Sequence, residues 1–80
     1  MNAYLGEVRL FPYGKIPGGW LFCEGQTLYI QEYPRLYMLL GTKFGGDGRQ
    51  KFKLPDLRTK SPEKLMYCMA AEGEFPEVWH

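Results

Sequence analysis

Eighty residues with a net charge of +1, 45% of them hydrophobic and 24% charged, make one small folded domain and exclude a disordered or coiled-coil chain. The near-neutral balance excludes a surface dedicated to nucleic acid or to an anionic membrane, either of which needs a strong basic excess. A core of this size contributes only about 3–5 kcal/mol, so self-association is the default expectation.

Taken in chain order, Leu5 to Phe11 (L-G-E-V-R-L-F) alternates imperfectly between apolar and charged residues and predicts a strand ending before Pro12. Pro12 to Gly19 holds two prolines and three glycines in eight residues, a stretch that cannot keep regular structure and predicts a loop. Trp20-Leu21-Phe22-Cys23 is an apolar run of strand length closed by Glu24-Gly25, and Thr27-Leu28-Tyr29-Ile30 is a second. Together they predict a hairpin around Gly25.

Tyr33, Leu36, Tyr37 and Leu40 fall at helical spacing on one face and predict a helix over 33–40. Pro34 suits its first turn, where a missing N–H goes unnoticed, and Gly41 can adopt the left-handed conformation that ends a helix. Thr42 to Pro62 is polar, glycine-bearing and twice broken by proline, which predicts an ordered loop with a short extended piece at Lys51 to Leu54. Leu65 to Ala71 (L-M-Y-C-M-A-A) fits helix or buried strand by periodicity, but Gly73 and Pro76 bound it closely, and the reading adopted is strand. The fold class is therefore α+β: a single small β-rich domain over residues 1–80 with short strands, a hairpin, one short helix and a long Gly/Pro loop.

The charges are uneven. Residues 1–42 balance three positive against three negative, residues 43–64 carry seven against three, and residues 65–80 hold three Glu and no Lys or Arg. The basic middle is read as a solvated, salt-screened loop rather than as a nucleic-acid site. Within it, Gly41 to Arg49 (G-T-K-F-G-G-D-G-R) invites comparison with a phosphate loop and fails it, because Asp47 follows Gly46 where a Walker loop needs Lys-Ser/Thr. Glu24, Asp47 and Asp56 lack the ordered spacing of a calcium loop, and the two aspartates are read instead as acceptors for nearby backbone N–H groups.

Cys23 and Cys68 show no zinc spacing; they form either a disulfide or two buried thiols, and their apolar neighbours favour thiols. His80 is the only histidine, so nucleophilic machinery has no credible base, and no catalytic, cofactor or metal site is expected. The longest apolar runs fall short of the ~20 residues of a membrane span, and the first six residues lack the charged and apolar regions of a signal sequence. The expected product is soluble, made in the cytoplasm and not membrane-inserted. Among the aromatics, Trp20, Tyr33 and Tyr37 are expected inside, whereas Tyr13 and Trp79 are expected exposed and are the candidate ligand or partner contacts.

Four segments in order resemble the phage tail-collar domain family, which includes the so-called microcystin-dependent proteins: Y-L-G-E-V-R-L-F (Tyr4 to Phe11), G-W-L-F-C-E-G-Q-T-L (Gly19 to Leu28), L-Y-M-L-L-G-T-K-F-G-G-D-G (Leu36 to Gly48) and F-K-L-P-D-L-R (Phe52 to Arg58). The closing M-Y-C-M-A-A-E-G-E-F-P (Met66 to Pro76) is similar to the end of many microcystin-dependent proteins. The resemblance implies a non-enzymatic structural or adhesive module of a tail fibre or baseplate, located in a virion tail or tail-like assembly. It further implies self-association, with a trimer typical of fibres, and contact with other tail proteins.

The motif residues implied by the resemblance are Gly19, Trp20, Cys23, Gly25, Gly41, Gly45, Gly46, Asp47, Gly48, Leu54, Pro55, Asp56, Leu57 and Arg58. Among them the glycines would permit tight turns, Asp47 would anchor those turns, Leu54 and Leu57 would plug into the core, and Pro55 and Asp56 would shape and cap the L-P-D-L turn. Family members usually continue from L-P-D-L-R through Gly-Arg into a long variable stretch, where this chain has Thr59-Lys60 and then only a few residues before Met66. That departure implies the scaffold without the variable stretch. The alternative function is a stand-alone module that recognises a surface glycan or a protein through its exposed aromatics and basic segment.

Overall fold

The computed structural model describes residues 3–76. In chain order these form strands β1 (Val8–Pro12), β2 (Trp20–Phe22) and β3 (Thr27–Tyr29), helix α1 (Pro34–Leu40), strand β4 (Lys51–Lys53), a 3₁₀ turn (Arg58–Lys60) and strand β5 (Leu65–Ala70). The α+β class read from the sequence holds. Two small antiparallel sheets carry the strands, one in the order β1-β5-β2 and the other a β3-β4 pair.

Strand β5 lies at the centre of the first sheet, between β1 and β2, and its sequence suits that place. A run of apolar residues with no charge to turn outward is suited to a strand covered on both faces. Its alternate side chains supply two separate clusters: Met66, Cys68 and Ala70 pack with Trp20, whereas Met69 joins Leu5, Cys23, Leu36, Phe52 and Leu54. The register agrees, with Trp20 opposite Ala70 and Phe22 opposite Cys68 on one face, and Leu21 opposite Met69 on the other. Phe11 closes the smaller cluster by meeting Trp20 edge-on, ring centres 4.9 Å apart.

β1 begins later than the sequence predicts, at Val8 rather than Leu5. Gly6 donates its N–H to the Ala70 carbonyl (2.8 Å), while the Ala70 N–H donates to the Glu7 carbonyl (2.8 Å). Two residues thus face one, which is a β-bulge. Gly6 has φ +81, a conformation that calls for glycine, and the Leu39 side chain packs against the position. The bulge turns the preceding Leu5 into the core, where it is 2% exposed.

The predicted hairpin around Gly25 does not form. The chain from Trp20 to Tyr29 does not reverse; it runs on and changes partner, its first part pairing with β5 and its second with β4. Cys23 is the pivot: its N–H donates to the Tyr67 carbonyl (3.0 Å) and its carbonyl accepts from the Leu57 N–H (2.9 Å). Partner choice is decided by the two apolar surfaces that need covering, and no local turn signal at Gly25 can compete with that.

Helix α1 follows the sequence closely. Leu36 is buried, Tyr33, Tyr37, Leu39 and Leu40 pack against the larger cluster, and Met38 on the opposite face is 75% exposed. Pro34 stands in the first turn, and the Gly41 N–H closes the last by donating to the Tyr37 carbonyl (2.7 Å). Gly41 has φ +56 with ψ −141, which is a positive-φ exit but not the left-handed helical conformation predicted for it.

Candidate functional site

The Leu-Pro-Asp-Leu turn extends the β3-β4 pairing in the same register beyond the strands themselves. Leu54 N–H donates to the Gln26 carbonyl (3.2 Å), Gly25 N–H to the Pro55 carbonyl (3.2 Å) and Leu57 N–H to the Cys23 carbonyl (2.9 Å). Leu54 and Pro55 are buried and Leu57 packs against the larger cluster. Asp56 faces solvent, accepting the Arg58 backbone N–H (3.2 Å) and gripping the Arg58 guanidinium through both carboxylate oxygens at 2.9 and 2.7 Å. That bidentate grip, followed by the backbone N–H, holds the Asp56 carboxyl at about 2, because charge-assisted bonds favour the ionised form.

Ahead of β4, the glycine-rich segment wraps around one carboxylate. Asp47 Oδ1 accepts the backbone N–H groups of Arg49 (2.8 Å), Gln50 (3.0 Å) and Lys51 (3.0 Å). These bonds, with Gln50's the largest influence, bring the Asp47 carboxyl down to about 2. Gly45 accepts the Lys53 N–H at its carbonyl (3.2 Å), Gly48 donates to the Lys51 carbonyl (3.1 Å), and the Tyr37 hydroxyl donates to the Gly48 carbonyl (3.2 Å). Gly46 sits at the closest approach: with φ +102, a Cβ there would lie 2.5 Å from Phe52 Cα and 2.6 Å from the Lys51 carbonyl oxygen. The segment is thereby fastened to both β4 and α1.

Beside this anchor lies an open recess of ≈ 460 Å³, lined by Tyr29, Ile30, Gln31, Arg49 and Gln50. It forms because β3 and β4 turn Leu28 and Phe52 inward and Tyr29 and Lys51 outward, while the Ile30 N–H clips onto the Gln50 carbonyl at 2.9 Å. Tyr29 is 51% exposed, and the Lys51 ammonium stands 5.9 Å from its ring centre. The sequence reading placed Tyr29 in a strand without seeing a site. The available signal was the alternation of T-L-Y-I, which puts Tyr29 on the face opposite Leu28.

Of the remaining motif residues, Trp20 lies in β2 and Gly19 and Cys23 flank that strand. The Gly19 carbonyl accepts the Ala71 N–H at 2.7 Å, and the Trp20 ring is buried beneath the Arg9 guanidinium, 5.7 Å from the ring centre. Arg9 also pairs with Glu7. Cys23 and Cys68 are free and buried. They belong to different hydrophobic clusters, Cys23 to the larger and Cys68 to the smaller. Burial, then the neighbouring Cys68, pushes the Cys23 thiol up to about 11, which keeps it protonated and unreactive near neutrality.

Among the predicted exposed aromatics, Tyr13 is 61% exposed, with its hydroxyl 3.8 Å from Met66 Sδ, and Trp79 lies outside the described residues. Glu24 and Asp56 are paired by a single β-bridge, and no group of three His, Cys, Asp or Glu among the described residues could hold a metal ion. Nor is any helix among them long and apolar enough to cross a membrane.

No curated protein matches the chain. The family model described as Phage Tail Collar Domain matches residues 6–62, a span that holds the bulge at Gly6, the Asp47 anchor and the Leu-Pro-Asp-Leu turn. That match covers well over half of the 80 residues, and the chain belongs to the phage tail collar domain family.

Proposed function

We propose that this domain is a non-enzymatic structural and adhesive module of a phage, or prophage-derived, tail fibre or baseplate. The observation that carries the reading is the family match together with the use made of the matched residues. The glycines, Asp47 and Asp56 spend their polar groups on their own backbone and neighbours, and the buried thiols are held protonated. A rigid scaffold is what such a division of labour serves. In this reading the domain self-associates as a trimer and contacts other tail proteins in a virion tail or tail-like assembly. Val8 and Leu10 on the outer strand β1, with Met38 and Phe44, leave apolar side chains exposed that such contacts would cover.

Light scattering coupled to size exclusion, over a range of concentrations, tests it. A stable trimer is the expected result, and a monomer at every concentration rejects self-association. A second reading, recognition of a surface glycan or protein partner, is supported by the exposed Tyr13 and Tyr29 and by the basic segment between them and β5.

A further inference from the structure

We propose that the recess between the end of β3 and the Asp47 anchor is a binding site for an acidic sugar, a carboxylate-bearing pyranose of a surface polysaccharide. The proposal rests on the glycan-recognition reading and gives it a place and a ligand class. Four observations carry it.

The volume of ≈ 460 Å³ is in the range of small-ligand sites and suits one or two sugar rings. The lining is divided as a sugar is divided: Tyr29 and Ile30 are residues with apolar surface suited to the C–H face of a ring, and Gln31 and Gln50 are residues whose amides can donate to and accept from hydroxyls. No carboxylate lines the recess, although the ionised Asp47 stands beside it and interacts with Lys51, and Arg49, an exposed lining residue, makes no salt bridge among the described residues. A guanidinium is the group best shaped to take a carboxylate through two parallel hydrogen bonds. Lys51, above the Tyr29 ring, adds a second positive charge.

The fourth observation is preorganisation. The three backbone N–H groups held by Asp47 belong to Arg49, Gln50 and Lys51, so one carboxylate positions the two residues of the far wall and the neighbouring cation together. Fixing them before binding reduces the ordering cost that a ligand must overcome. A polyanion such as nucleic acid is disfavoured, because the chain as a whole has a net charge of only +1.

The test is a titration of the isotopically labelled full chain by NMR, using digalacturonate and a sialylated lactose as acidic probes, with neutral lactose and inorganic phosphate as controls. The expected result is movement of the Ile30, Gln31, Arg49 and Gln50 amide signals with at least one acidic probe, and much weaker movement with either control. Arg49→Gln keeps the dispersed spectrum of the folded chain and loses affinity roughly tenfold or more, as expected for removal of a charged hydrogen-bonding partner. Absence of movement in these four amides with both acidic probes overturns the proposal, as does an equal response to lactose or phosphate, or undiminished binding by Arg49→Gln. If a probe instead moves signals around Tyr13, the recess is rejected while glycan recognition stands. If no probe moves any signal, both are rejected.

Discussion

At the scale of single residues, the carboxylate of Asp47 has the widest effect, because three successive amides close on one oxygen. An acceptor with these partners is worth most when ionised, which is why its folded value is about 2 against about 3.9 in an unfolded chain. A lowered carboxylate contributes stability that is fully present above the unfolded value and is lost as pH falls through the folded one. Asp56, also held at about 2, acts in the same window. Melting temperature should therefore fall as pH is lowered from about 4 to about 2. Asp47→Asn keeps an acceptor oxygen but not the charge, so it should melt lower than the parent at neutral pH and show a shallower acid dependence. An unchanged acid dependence would remove Asp47 from the account. Asp47 was legible from the sequence because an aspartate among glycines has few other uses. The alternation of T-L-Y-I could have turned Tyr29 outward, but its meeting with Arg49 was not legible, because a recess is made by residues distant in sequence.

Elements differ in how much of their placement is local. Helix α1 could be read from spacing alone, since its apolar residues must share a face to be buried at all. β5 could be read from its confined length between loop residues. β2 and β3 could be recognised as extended but not paired correctly, because their partners lie in β5 and β4, far along the chain. β4 itself was legible only as an extended fragment. What gives it weight is Phe52, fully buried and meeting Tyr37 with ring centres 5.5 Å apart, and Gly46 packed against its backbone. Gly46→Ala tests this junction directly. Both atoms that the new methyl would strike belong to backbone or to its carbonyl, so no rotamer change relieves the clash. With the left-handed φ added, the loss should be on the order of 3 kcal/mol or more, read by denaturant unfolding. A loss within the range of an ordinary surface substitution would mean that the glycine segment is not held against β4 as described.

For the whole molecule, the residues matched by the family model end at Pro62, and the strand that joins the first sheet comes after them. β1 and β2 pair with β5 and not with each other. A chain stopped after Pro62 would lose Met66, Cys68, Met69 and Ala70 from both clusters at once. Such a truncation is expected to lack a cooperative thermal transition and to show the amide spectrum of an unfolded chain. If residues 1–62 melted cooperatively, β5 would be an addition to a self-sufficient core and not its centre.

That arrangement also orders events in time. A ribosome delivers β1 and β2 long before the strand that must lie between them, so for most of the translation of this domain the two have nothing to pair with and their apolar faces stay open to water or to helper proteins. The first sheet can close only by joining segments separated by most of the domain, a slow kind of search. A product ending anywhere before Leu65 would have no route to the native first sheet, because the strand that lies between β1 and β2 would be missing.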